Sequence, residues 1–182
     1  MRNLVVLSFL LSAACGGGEK APAIPAVEPV AAEVTSQAAP AVEAVPEALP
    51  DLAAMSEVDR TAWLMKRGEQ AYAQGATGGI ACTTCHQADG NGVSGAFPPL
   101  AGQKDHMGDC VKHAGIVIHG LNGEIIVNGQ KYNGVMMPQG AVADVDIAAV
   151  ITYERQSWGN NFGACLPSDV AKARTLPAPV LN

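Results

Sequence analysis

Aromatic residues make up only 4% of this 182-residue chain, and charged residues only 15%. So few rings cannot build a large aromatic core, which points to a centre completed by something other than side chains. Lys and Arg form no cluster and the net charge is -6, which argues against nucleic acid as a partner, because phosphate binding needs concentrated positive charge. No apolar run reaches the ~20 residues that a membrane-spanning helix requires. Length allows one domain, or one domain with a tail.

Arg2 followed by Leu4–Leu11 reads as a short secretory leader, so residues 1–14 are expected to be a signal peptide of the lipoprotein type. Small residues lead to a lone Cys15 and then to Gly16-Gly17-Gly18, a pattern similar to a bacterial lipobox, although Ser12 stands where Leu is preferred. Cys15 is therefore the expected lipidation site. Ordinary cleavage near Ala13 or Ala14 is the alternative. Six of the twelve prolines fall between Gly16 and Pro50, interspersed with Ala, Val and Glu. Proline interrupts helices and like charges repel, so residues 15–54 are expected to be a disordered, extended tether reaching roughly 30–35 Å as a flexible coil.

The chemistry is carried by Cys82-Thr83-Thr84-Cys85-His86. In C-x-x-C-H, two thiols at this spacing each add to one vinyl group of the same porphyrin, and the adjacent imidazole reaches the iron. A thioredoxin-like redox pair would follow a strand in a β-α-β setting, which the pattern lacks. A structural zinc site would need a second close Cys or His pair, and Cys110 and Cys165 are isolated. One covalently bound haem c is the expected cofactor.

The flanks suit a small helical domain. Ser56–Asp59 resembles a capping box, and Val58, Ala62, Met65, Gly68 and Tyr72 recur at helical spacing, so a helix is expected over Glu57–Gln74. Gly68, with Tyr72 one turn on, would admit a second helix at close range beside an aromatic. That second helix is expected from Asp144, as N-cap, to about Trp158, with Ile147, Val150, Ile151 and Glu154 on one stripe and Gly159 as the stop. A further helix is expected over Asp109–His119. The alternation around Asn128-Gly129 predicts a hairpin leading into Met136-Met137-Pro138.

Candidate partners for the iron opposite His86 are His106, Met107, His113, His119, Met136 and Met137. A thioether beyond a hairpin, in a loop stiffened by proline and glycine, suits an axial ligand. Met107 and Met65 read as core filling, His119 as a group near the haem edge or surface, and His113 as the main rival for a bis-histidine site. The Pro98 carbonyl is a candidate acceptor for the His86 ring N–H, which would fix the ring and raise its basicity, with Leu100 packed on the porphyrin.

From about Met55 to Asn160 the chain resembles class I cytochromes c of the kind found as domains or subunits of bacterial respiratory complexes. The likeness rests on Gly68–Tyr72, Cys82–His86, Asp89–Gly92, Phe97–Gly102, His119–Gly123, Tyr132–Met136, Asp146–Tyr153 and Ser157–Asn160. It implies an all-α cytochrome c fold over residues 55–182 around one haem, with a small β-hairpin before the Met-ligand loop. It implies His86 as proximal ligand, Pro98 behind it and a Met opposite. The family's spacing from the Tyr selects Met136, and its common Met-Pro step selects Met137; Met136 is the expected ligand. Cys110 and Cys165 lie outside the family pattern, and an even pair in an oxidising compartment is expected to form a disulfide.

With both axial positions filled, no open site remains for substrate, and Met ligation favours a high reduction potential. The expected function is one-electron transfer, without enzyme chemistry, on the periplasmic side of a membrane and held there by the lipid anchor. Implied partners are a quinol-oxidising complex, a terminal oxidase or a dehydrogenase. The alternatives are a haem enzyme or sensor with a labile distal ligand, and a disulfide-held module without haem.

Overall fold

The computed structural model describes residues 49–180 apart from Lys104. The leader, Cys15 and the tether up to residue 48 lie outside those residues. The chain forms α1 (Glu57–Gln74), α2 (Thr83–His86), α3 (Cys110–His119), β1 (Leu121–Val127), β2 (Gln130–Met136), α4 (Asp144–Gln156) and α5 (Pro167–Arg174). The result is a helical domain with one two-stranded antiparallel sheet.

α1 starts where Ser56 Oγ accepts a hydrogen bond from the Asp59 N–H at 3.1 Å, satisfying one of the free first-turn donors. It ends at Gly75, whose N–H bonds back to the Ala71 carbonyl. The buried stripe is Leu64, Gly68, Ala71 and Tyr72. It differs from the expected one, because Val58 and Ala62 are exposed. Gly68 and Tyr72 fix the face that meets α4, and the earlier residue on that face is Leu64, one turn before Gly68. The approach is tight: a Cβ on Gly68 would stand 2.1 Å from the Ala149 carbonyl oxygen. Beside this crossing, Tyr72, Tyr153 and Trp158 form an aromatic triad with ring centroids 5.0–5.5 Å apart, Tyr153 edge-on to Trp158 and Tyr72 tilted against both.

α4 buries Ile147, Val150, Ile151 and Glu154 as expected, and also Ala148, Ala149, Thr152 and Arg155. It is enclosed on nearly every side. Two of its expected boundaries are corrected. Asp144 is the first helical residue rather than the cap, which is Ala143, because its carboxylate is taken by Arg174 Nε at 2.6 Å. The helix stops at Gln156 rather than near Trp158; Trp158 has φ +52°, outside helical space.

α5 was not expected from the sequence. Pro167 opens it, and Asp169 Oδ2 accepts from the Leu166 N–H at 2.8 Å. Cys110 and Cys165 are joined in a disulfide, tying the start of α3 to the segment before α5. The folded domain also begins before residue 55. Residues 51–54 form a turn, and Leu52 packs against the core.

Candidate functional site

α2 is a single turn with Cys82 at its N-cap and Cys85 and His86 within it. It is fixed to α1 at two points: Tyr72 Oη donates to the Gln87 carbonyl at 2.6 Å, and Thr83 Oγ1 donates to the Ala73 carbonyl at 3.2 Å. Cys82 and Cys85 are free thiols. Burial, and next the negative charge of Glu154, push the Cys82 thiol well above its ordinary pKa. Burial, then Glu154, do the same to Tyr72.

The His86 ring is buried, and its Nδ1 lies 2.9 Å from the Pro98 carbonyl oxygen. A carbonyl can only accept, so Nδ1 carries the proton and Nε2 keeps its lone pair. The loop that delivers this carbonyl doubles back on itself. Val93 and Phe97 exchange two backbone bonds, Gly92 N–H bonds to the His86 carbonyl, and Leu100 N–H bonds to the Gly90 carbonyl. Gly92 has φ +63°, and a Cβ there would stand 2.6 Å from the Pro98 oxygen; only glycine leaves that oxygen its place.

The hairpin supplies the opposite wall. Asn128 and Gly129 both have positive φ, the turn geometry that suits strand twist. Along β1, Leu121, Gly123, Ile125 and Val127 are more buried than the residues between them. Met136 pairs with Leu121 and Tyr132 with Ile125, so Met136 belongs to the inward-facing set. It is the last residue of β2 rather than a residue of the following loop. Met136 packs against the core, whereas Met137 is 59% exposed. Gly120 (φ +67°) allows the segment after Met136 to pass, because a Cβ there would stand 2.3 Å from the Met136 carbonyl oxygen. Gln139 then holds that segment, its N–H on the Val117 carbonyl and its Oε1 on the Ile80 N–H.

These pieces form a predominantly apolar cavity lined by Cys82, Cys85, His86, Pro98, Leu100, Met136 and Met137. Every cofactor-binding residue expected from the sequence lines it. Of the rival ligands, Met107, His106 and His113 also line it, and His119 does not. His106 Nε2 is bonded to the Ile126 carbonyl, and His113 Nε2 is paired with Glu154 Oε2 at 3.0 Å. Sequence reasoning missed this pair, and it missed Asn160, whose amide joins the loop at Leu100 and Gln103 to α4. Among the described residues no three His, Cys, Asp or Glu side chains cluster as a protein-held metal ion would need.

The family model for cytochrome c matches residues 65–158, just over half of the chain. The chain belongs to the cytochrome c family. It is 40% identical over 100 residues to cytochrome c-552 of Thermus thermophilus, covering 51% of this chain and 69% of that protein. It is 34% identical over 125 residues to the cytochrome c subunit of the quinone alcohol dehydrogenase of Gluconobacter oxydans, covering 66% of this chain and 26% of that subunit. The chain thus spans about a quarter of the length of the dehydrogenase subunit. Covalently bound haem c is the family's cofactor, and electron transfer by a haem is the function that the family and these relatives support. The site of this cytochrome c suits that group: two free thiols one turn apart, an imidazole with one nitrogen left to bind, and an apolar cavity beside them.

Proposed function

We propose that this cytochrome c is a one-electron carrier, or the haem subunit of a respiratory oxidoreductase, working through a His/Met-ligated haem. The observation that carries the reading is that His86, with Nδ1 committed to Pro98, lines the same cavity as Met136 and both thiols. Cys82 and Cys85 would hold the porphyrin through thioethers, and His86 Nε2 and Met136 Sδ would hold the iron. The bound group supplies reversible exchange of one electron. The protein would exclude water, hold both ligands in place through the exchange and, with His86 and Met136 both on the iron, leave it closed to a substrate. The hairpin register and the exposure of Met137 support Met136 as the sulfur ligand. Met136→Ala is expected to abolish the weak red absorption band of sulfur-ligated ferric haem and to lower the midpoint potential, whereas Met137→Ala should leave both nearly unchanged. The reverse result would assign the ligand to Met137.

In the same reading, residues 1–14 are a lipoprotein leader, Cys15 carries the lipid, and residues 15 to about 50 tether the domain on the periplasmic face. No described helix is long and apolar enough to cross a membrane. Cys15→Ser is expected to move the protein from the membrane to the soluble fraction after cell fractionation; unchanged partition would remove the lipid anchor. A quinone-dependent dehydrogenase, a quinol-oxidising complex or a terminal oxidase is the partner class, and the likeness to a dehydrogenase's cytochrome subunit supports it.

A further inference from the structure

His113 on α3 and Glu154 on α4 lie 3.0 Å apart with their side chains 5% exposed, and both line the cavity that suits the haem. A buried ionisable pair is costly unless its hydrogen bonds are complete, and this one is incomplete. His113 Nδ1 is buried and has no hydrogen-bond partner among the described residues. With Nε2–H given to the Glu154 carboxylate, Nδ1 holds a bare lone pair, which is where a further proton would go. Among the described residues the surrounding charges do not neutralise the pair. From α1, Tyr72 is held neutral by burial. From the attachment turn, the Cys82 thiol is pushed up by burial and next by the Glu154 charge, and thioether formation removes that thiol's proton. On α4, Arg155 gives its guanidinium to the carbonyls of Met107, Phe162 and Gly163, with Asp109 and Asp169 as the acids acting on it. At the start of α3 the Lys112 backbone N–H, not its ammonium, bonds to Asp109 Oδ1, and before α3 His106 turns Nε2 to the Ile126 carbonyl.

The geometry points to the His113–Glu154 pair as a proton site coupled to electron transfer. It rests on the haem reading above. Oxidised iron adds one positive charge to a cavity of low dielectric, where charges act strongly on one another, and so disfavours a second positive charge at His113. When the centre gains one electron from its redox partner, the pair takes up to one proton from solvent at His113 Nδ1. When the electron leaves, the proton returns to solvent. Electron and proton carry opposite charge, so the buried interior ends each half-cycle closer to neutral than electron transfer alone would leave it.

The test uses the holoprotein. Potentiometric titration over pH ~5–8, the range in which histidine changes charge, is expected to give a midpoint that falls as pH rises. Its limiting slope is ~59 mV for each tenfold loss of protons. His113→Gln and Glu154→Gln keep a hydrogen-bonding group at each position and are expected to flatten that slope. In the wild type, the 15N resonances of the His113 ring should titrate at higher pH in the reduced protein than in the oxidised one, a readout that needs no variant to fold. The proposal is overturned by a pH-independent midpoint, by a slope unchanged in both variants, or by a His113 titration that ignores redox state. A low-spin His/Met spectrum with a flat midpoint removes only the proton site. Absence of c-type absorption bands would instead remove the haem reading beneath it.

Discussion

Asn160 joins three parts of the chain with one amide. Its Oδ1 accepts from the Gln103 N–H at 3.0 Å, and its Nδ2 donates to the carbonyls of Leu100 at 2.8 Å and Glu154 at 2.7 Å. Through Leu100 it steadies the loop that carries Pro98, and through Glu154 it is anchored to α4. Truncation leaves buried backbone groups without partners, so Asn160→Ala is expected to cost ~2–3 kcal/mol, read as a lower denaturation midpoint of the holoprotein. A cost within error of zero would mean that water replaces the amide. The sequence placed Asn160 only at the end of the Ser157–Asn160 likeness, with no role. Its partners are far away along the chain, and no local pattern announces a long-range cap. The pairing of His113 with Glu154 escaped for the same reason: each was named separately on its own helix, and only the contact of α3 with α4 makes them a pair.

At the scale of elements, the α1–α4 crossing is the joint on which the rest is built. Gly68→Ala pushes a Cβ against the backbone oxygen of Ala149, which cannot swing aside as a side chain can. Overpacking of this kind is expected to cost ~2–3 kcal/mol, again as a shift in denaturation midpoint. A variant as stable as the wild type would show that the helices separate without penalty. This joint was legible in the sequence because a glycine and an aromatic one turn apart form a local pattern. α1 was legible to its bounds from Ser56 and Gly75, and the hairpin from Asn128-Gly129, all devices that act within a few residues. The C-terminal elements were not. α5 is a short helix of mixed pattern held by Val170 in the core, by the Arg174–Asp144 ion pair and by the disulfide. That same ion pair draws Asp144 away from the capping role its position suggested. Where stability comes from a distant partner, local pattern is silent. The attachment turn was the opposite case, because its chemistry demands adjacent residues.

At the scale of the whole molecule, the Cys110–Cys165 bridge spans a sequence separation of 55 and ties α3 to the chain that follows α4. Closing a loop of that length limits the unfolded chain and is worth about 4 kcal/mol. Cys110→Ser with Cys165→Ser is therefore expected to lower unfolding stability by about that amount, measured by denaturant titration. The absorption spectrum should stay unchanged, since neither sulfur lines the cavity. A spectral change would mean that the bridge holds the haem site itself.

The described residues also carry four cysteine sulfurs with two destinies. Cys82 and Cys85 stand as thiols, while Cys110 and Cys165 are bonded to each other. Four cysteines oxidised together can join in three ways, and every one of them consumes the two that the porphyrin needs. Carbon–sulfur bonds, once made, take no part in thiol exchange. Attaching the pigment first therefore leaves two of these four thiols and a single possible marriage between them, so the order of maturation prevents mispairing within this set.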